Sequence, residues 1–260
     1  MRDLQSEPDK RKIPIYKVGV NNVRYPISVL DRSGDVQHTV AQINMYVNLP
    51  HHYRGTHMSR FLEVISRHSV NLNMKELDKI LKDTIKTFQC ETAHLEVEFP
   101  YFIKKKAPVS MIESPMDYIC RVEAQMSTEG KLKLLVEVNV PVHNLCPCSK
   151  EISKFGAHNQ RGLIKIRVIS SKLVWFEELI EIGEKSASAP IYSLLKREDE
   201  KFITEKAYKN PHFVEDTARE VARLLNNDSR IQWYSVEVTN FESIHNHNAY
   251  ACVLKDNEAE

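Results

Sequence analysis

The chain has 260 residues, with 36 Lys and Arg against 35 Asp and Glu, so it lacks the global basic field that draws a protein to nucleic acid or to an anionic membrane surface, and neither partner is expected. With 42% hydrophobic and 27% charged residues it has the composition of a folded globular protein, not of a disordered or fibrous one. No apolar run approaches the roughly 20 residues needed to cross a bilayer. The chain opens on Met1 to Lys12, a charged stretch without the apolar centre of a secretory signal, and residues 1–20 are expected to form a flexible tail. Ile27 to Leu30 and the partly alternating Val36 to Val47 flank a Ser33-Gly34 turn and read as a hairpin. Ser59 to Ser69, through Phe61, Leu62, Val64 and Ile65, and Met74 to Phe88, through Leu77, Ile80, Leu81, Ile85 and Phe88, carry apolar residues at helical spacing. A second hairpin follows, Ala93 to Phe99 and Tyr118 to Met126.

The second half repeats that order. Leu132, Leu134, Val136, Val138, Val140 and Val142 give the cleanest alternation in the chain, and Leu163 to Val168 supplies a partner strand. Pro190 occupies an expected first helical position before Leu194, Leu195 and Phe202, and Asn210-Pro211 is expected to cap a helix carrying Phe213, Val214, Thr217, Ala218, Val221, Leu224 and Leu225. Trp233 to Phe241 and Ala249 to Leu254 close the pattern as strands. The order strand, strand, helix, helix, strand, strand therefore occurs twice, over units 21–130 and 131–260, and argues for an α+β architecture of antiparallel sheets with helices on one face. Seven glycines and no Gly-rich loop exclude a P-loop, so any phosphate must be met by side chains.

Four segments carry candidate chemistry. Asn144 to Lys150 contains Cys146-Pro147-Cys148, with His158 ten residues further on in Gly156-Ala157-His158-Asn159-Gln160-Arg161; both lie between strands and read as loop. Thiolate and imidazole suit zinc or a similar borderline metal, although the same spacing also fits ordinary buried cysteines and a loop histidine. Glu242-Ser243-Ile244-His245-Asn246-His247 sets a carboxylate and two imidazoles between the last strands; in extended chain Glu242 and His245 face opposite ways, so a turn must decide which group serves the site. His51-His52-Tyr53-Arg54-Gly55-Thr56-His57-Met58-Ser59-Arg60 enters a helix with arginine forks matched to phosphate oxygens, or as a basic surface turn capped by Thr56 or Ser59. Glu215 and Asp216 in a first helical turn are explained by the helix dipole alone, and the run Lys196 to Lys201 by the solvated face of a helix, without any functional role. The five cysteines, Cys90, Cys120, Cys146, Cys148 and Cys252, are too few and too odd for a disulfide framework, and free thiols in a reducing cytoplasm are expected.

Taken together in this order, these strings resemble the type IB GTP cyclohydrolase family. The resemblance implies the tunnelling fold, here as two fused units, each an antiparallel sheet with two helices on one face. It also implies a homotetramer whose active sites lie at subunit interfaces. It implies a hydrolase acting on a cyclic amidine: a divalent ion (zinc, manganese or ferrous iron) activates water against the guanine imidazole ring of GTP, with formate and 7,8-dihydroneopterin triphosphate as products, at the start of tetrahydrofolate synthesis. Carried over by motif, Cys146, His158 and His245 become metal-site residues with Glu200 as fourth ligand, and Glu242 and His245 the proton carriers, a role that falls to Glu242 and His247 where His245 binds the ion. Glu215 resembles the carboxylate that grips the purine edge. Arg54, Arg60, Lys150 and Arg161 are the triphosphate candidates by charge and loop position. Three rivals remain at this level: the nitrile oxidoreductase of the queuosine pathway, an archaeal-type cyclohydrolase giving a cyclic phosphate, and a non-catalytic structural zinc module. Cys148 stands near enough to Cys146 for its oxidation to disturb the site, although a Cys-x-Cys disulfide would be strained.

Overall fold

A computed structural model of the chain describes residues 5, 7–68 and 71–255; Ser69 and the remainder of the expected tail, residues 1–4 and 6, lie outside the described residues. The chain divides into two compact units, one formed by residues 1–100 and 121–135 and the other by 101–120 and 136–260.

In the first unit β1 (Ile15–Leu30) and β2 (Val36–Leu49) form an antiparallel hairpin. Its turn is closed by Asp31, whose Oδ1 accepts from Asp35 N–H at 2.8 Å, and by Gly34 at φ +93°, a conformation open to glycine without steric cost. β1 begins inside the stretch expected to be tail. Two register shifts, between Ile15 and Val18 and between Val20 and Val23, break the alternation that would have shown it. At the second, Asn22 takes a left-handed φ of 56° and donates its N–H to Asn44 Oδ1 at 2.8 Å, as bulge residues do. Helices α1 (Met58–Arg67) and α2 (Met74–Phe88) bury Phe61, Val64 and Ile65 from one and Leu77, Ile80 and Leu81 from the other, and Phe61 stacks on Phe88 with centroids 4.1 Å apart. Asn73 caps α2 by accepting from Glu76 N–H at 2.9 Å. β3 (Asn71–Leu72) runs parallel to β1, and β4 (Thr92–Lys106) pairs with β2. β4, β5 (Glu113–Ser127) and β6 (Leu132–Leu145) each contribute residues to both units.

The second unit is built on β6, β7 (Asn159–Ser170), β9 (Ile231–Asn240) and β10 (Ala249–Leu254), paired antiparallel in the order β10-β9-β7-β6, with the short β8 (Ala189–Pro190) on β6. The expected alternation is present: Val138, Val140, Val142, Ile164, Ile166, Val236 and Val238 are all fully buried. Helix α4 (Phe176–Lys185) packs on α6 (Val214–Asn226), and α6 packs on β9 and β10. Gly183 of α4 lies so close to the sheet that a Cβ would stand 3.1 Å from Val140.

Three local expectations are corrected. Pro190 does not start a helix: it sits on β8 opposite Val142. The helix that follows, α5 (Arg197–Lys209), begins where Asp199 can reach back to accept Lys196 N–H at 2.9 Å. Asn210 does not cap α6 at its start but closes α5, donating its N–H to Lys206 and Ala207 carbonyls; α6 starts after Phe213, whose N–H is held by Asp216 Oδ2 at 3.1 Å. The Cys146 segment is not all loop, since Pro147 to Ile152 forms the short helix α3 (Pro147–Ile152), with proline at a position where its missing N–H costs nothing.

Candidate active site at the ends of β6, β7 and β9

In the antiparallel register Asn144 lies opposite Gln160 and Gly162 opposite Asn240. The chain thus leaves β6 into Cys146, enters β7 from His158 and leaves β9 into Glu242, all at one end of the sheet. A buried polar knot fixes these ends. Asn144, fully buried, donates from Nδ2 to Asn240 Oδ1 at 2.8 Å and accepts Ser188 N–H at Oδ1, 3.2 Å away; Leu145 N–H donates to Ser188 Oγ at 3.1 Å. A Cβ on Gly162 would lie 2.8 Å from Asn240 Oδ1 and 3.2 Å from Asn144 Nδ2, so only glycine admits the knot. Each buried group stranded by loss of its partner would cost about 1–3 kcal/mol.

On this platform stand the chemical residues. Cys146 N–H donates to His158 O at 3.1 Å, and its sulfur accepts Ser149 N–H at 3.5 Å as the N-cap of α3. Ser149 Oγ donates to Cys146 O at 3.2 Å and accepts His158 N–H at 3.1 Å, which stitches the two motifs together. His158 Nδ1 lies 3.0 Å from Gln160 Oε1, Gln160 Nε2 donates to Glu242 Oε1 at 3.3 Å, and the second Glu242 oxygen stands 3.8 Å from His158 Nδ1. The His245 ring meets His158 edge-on with centroids 6.2 Å apart and stacks on His247 at 5.1 Å. His158 and Glu242 keep only 13% and 10% of their side-chain surface, whereas His245 and His247 are exposed. The structure therefore gathers Cys146, His158, Glu242, His245 and His247 at one place.

The other candidates stand differently. His212 N–H donates to Leu145 O at 3.1 Å, which ties the approach to α6 to the end of β6, with Glu215 exposed in the first turn of α6. Glu200 is exposed in the first turn of α5 and is not a member of the bonded cluster. Lys150 is engaged elsewhere: its Nζ donates to Tyr208 O at 2.6 Å and lies 4.5 Å from the centroid of that ring. Arg161 is exposed on β7 beside the cluster, its carbonyl accepting Phe241 N–H at 2.9 Å. Arg54 and Arg60 belong to the first unit. Arg54 Nη1 pairs with Glu7 at 3.3 Å, and Arg60 is exposed in the first turn of α1, whose N-cap is His57, not Thr56 or Ser59. Among the described residues no group of three or more His, Cys, Asp or Glu side chains stands close enough to hold a metal ion. The donor types suit one all the same: a sulfur, and an imidazole whose Nδ1 is already engaged so that Nε2 remains as the ligand atom.

Sequence reasoning missed Asn144, Gln160, Gly162, Ser188 and Asn240. A signal existed for four of them. Asn144 falls in phase with Val138, Val140 and Val142, Asn240 in phase with Val236 and Val238, and Gln160 and Gly162 in phase with Ile164 and Ile166. A polar residue in the buried phase of a strand must find a partner.

Two antiparallel, helix-backed units with histidines, a cysteine and a carboxylate gathered at strand ends define an α+β protein of the tunnelling fold. Solved structures agree on the fold: urate oxidase from Bacillus sp. TB-90 superposes with a TM-score of 0.57 at 10% identity, covering 93% of this chain and 99% of that one. Urate oxidase from Bacillus subtilis 168 gives 0.54 at 9%, again over 93% and 99%. At such identity the likeness speaks for the fold alone. The family is shown by sequence. The family described as type I GTP cyclohydrolase FolE2 matches residues 1–251, and the chain belongs to it. Proteins named GTP cyclohydrolase FolE2 are 54% identical in Thermosipho africanus (strain TCF52B), over 98% of both chains, 56% in Thermosipho melanesiensis, over 97% of both, and 55% in Dictyoglomus thermophilum, over 98% of both.

Proposed function

We propose that this chain is a GTP cyclohydrolase that opens the guanine imidazole ring of GTP, releases formate and leaves 7,8-dihydroneopterin triphosphate for folate synthesis. Family membership supports the reaction class. The observation that carries the reading to this chain is the bonded set His158, Gln160 and Glu242 beside Cys146 at the ends of β6, β7 and β9. Cys146, His158 and His245 would hold a divalent ion, with Glu200 as a fourth donor; zinc, manganese and ferrous iron all accept this donor set. Bound there, the ion supplies a water whose pKa is lowered toward neutrality. Glu242, largely enclosed and fixed by Gln160, moves protons to and from the ring nitrogen, and with His245 committed to the ion the exposed His247 exchanges them with solvent. Glu215 accepts hydrogen bonds from the guanine 2-amino group and the neighbouring ring N–H, a pattern adenine cannot supply. Arg161, Arg54 and Arg60 meet the triphosphate as bidentate donors, with Lys150 a weaker candidate because of its bond to Tyr208.

We place the enzyme in the cytoplasm, in keeping with its unpaired cysteines, and no helix among the described residues is long and apolar enough to cross a membrane. A homotetramer with sites at subunit interfaces suits a cluster whose imidazoles stand exposed in the single chain. The test is direct: purified protein incubated with GTP and each divalent ion in turn, with assay of formate and, after oxidation, of pterin fluorescence. Both products are expected with at least one ion, and absence of both with every ion overturns the reading.

A further inference from the structure

We infer that Gln160 is a positioning residue that fixes the tautomer of His158 and the orientation of Glu242 through a single side-chain amide; the inference rests on the reading of His158 as a ligand and Glu242 as a proton carrier. An ionised carboxylate only accepts hydrogen bonds, and an amide presents one accepting and one donating end. The end of Gln160 that lies 3.3 Å from Glu242 Oε1 must therefore be Nε2. That leaves Oε1 facing His158 Nδ1 at 3.0 Å, and an oxygen that can only accept requires Nδ1 to carry the proton. In the neutral ring Nε2 then holds the lone pair. The opposite tautomer would set two acceptors 3.0 Å apart, and turning the amide over to relieve them would set its oxygen against the carboxylate instead.

The amide has no freedom to escape this choice. Gln160 is 6% exposed, lies opposite Asn144 in the β6–β7 register, and so stands on the same rigid strand ends as the residues it orients. Glu242 Oε2, at 3.8 Å from His158 Nδ1, is too far to take the proton itself. Gln160 thus lets the imidazole be preset for a ligand at Nε2 without drawing the carboxylate away from substrate.

The tautomer is read in metal-free protein by long-range proton–nitrogen correlation on ¹⁵N-histidine-labelled chain with the ring neutral, His158 being assigned by the loss of its signals in His158→Asn. Wild type is expected to show a protonated Nδ1 and a bare Nε2. Gln160→Leu keeps the volume but removes both ends of the amide. It should release the ring to the mixture found in free imidazole and weaken binding of Zn2+ or Mn2+, measured by competition with a chelating dye, by about 10–100-fold. Gln160→Glu keeps an acceptor for Nδ1 but sets a second carboxylate against Glu242, so it should retain the tautomer and most of the ion affinity while GTP turnover falls. A bare Nδ1 in wild type, or in folded Gln160→Glu, overturns the inference; so does a folded Gln160→Leu with tautomer and affinity unchanged. Because the spectrum of wild type needs no turnover, a chain that failed to hydrolyse GTP yet showed protonated Nδ1 would sink the enzyme reading and leave the tautomer lock standing.

Discussion

The two basic and histidine-rich regions of the molecule are held in different ways. At the ends of β6, β7 and β9, Cys146, His158 and Glu242 adjoin a buried knot in which Asn144, Ser188 and Asn240 hydrogen-bond one another. In the first unit the turn carrying His51, His52 and Arg54 is held from outside by the segment before β1: Arg54 N–H donates to Glu7 O at 3.0 Å, Gly55 N–H to Gln5 O at 3.1 Å, and Pro8 bridges to Tyr53. The first arrangement holds atoms where chemistry must find them. The second holds backbone and leaves long cationic side chains to adapt, which suits a flexible polyphosphate better than a reacting ring.

The sharpest way to break this contrast is to remove one group from each region and compare kinetic parameters. Glu242→Gln keeps the acceptor oxygen toward Gln160 but loses the proton carrier, and kcat for GTP should fall by about 10²–10⁴-fold with KM nearly unchanged. Arg54→Gln should do the reverse, raising KM and leaving kcat within a small factor. Matching profiles from the two variants would show that both regions serve the same step and would end the distinction.

The knot itself is tested by stability. Asn144→Leu is close in volume but strands Asn240 Oδ1 and the Ser188 N–H where both residues are buried. It should lower the unfolding free energy by about 1–3 kcal/mol for each group left unpaired, read as a shift of the denaturant midpoint. Arg54→Gln, which loses the exposed pair with Glu7, should change it by less than about 1 kcal/mol. Equal shifts would mean that the strand ends are no more rigidly built than the surface turn.

How far the sequence showed this depended on whether a feature was local. β7, and β6 over most of its length, keep a period of two, so Val138, Val140 and Val142 announced their strand. β1 hid its start because bulges reset the period at Val18 and Val23. Helix α4 escaped although Phe176, Leu179 and Ile180 stand at helical spacing, because the segment is short and Glu177, Glu178, Glu181 and Glu184 give it the look of a charged loop. Pro190 misled because a residue without an N–H suits the first turn of a helix and a short strand alike. The motif residues of the site were legible as strings. Their neighbours Asn144, Gln160 and Asn240 showed only that they fall in the buried phase of their strands; the partners stayed hidden, since Asn144 meets Asn240 across 96 residues and no local pattern records that pairing.

Within the second unit, Asp199 offers a subtler test through pH. Burial alone would raise its carboxyl, but Ser110 Oγ–H and N–H, Lys196 N–H and Val109 N–H together outweigh that and hold it well below the usual carboxylate range. A carboxyl lowered by folding adds stability that is present above its ordinary value of 3.8 and is lost as pH falls below it. Asp199→Asn should therefore unfold at lower temperature than wild type at pH 6, and the gap should narrow as pH drops below 3.8. A gap of constant size would show that the hydrogen bonds, not the charge, carry the effect.

The smallest expected effect separates two cations that the sequence grouped together. Lys150 donates to Tyr208 O in the last turn of α5, where a positive charge meets unpaired carbonyls at the negative end of the helix dipole. Its charge is already engaged, while that of Arg161 is exposed beside the cluster. Lys150→Met should cost only about 0.3–1 kcal/mol of stability and leave KM for GTP nearly unmoved. Arg161→Met should raise KM without touching stability. A Lys150 variant whose KM rises as far as that of the Arg161 variant would mean that the ammonium leaves Tyr208 when GTP arrives; the triphosphate would then have to outcompete a 2.6 Å bond, and the strand-end region would share the adaptability assigned here to the first unit's turn.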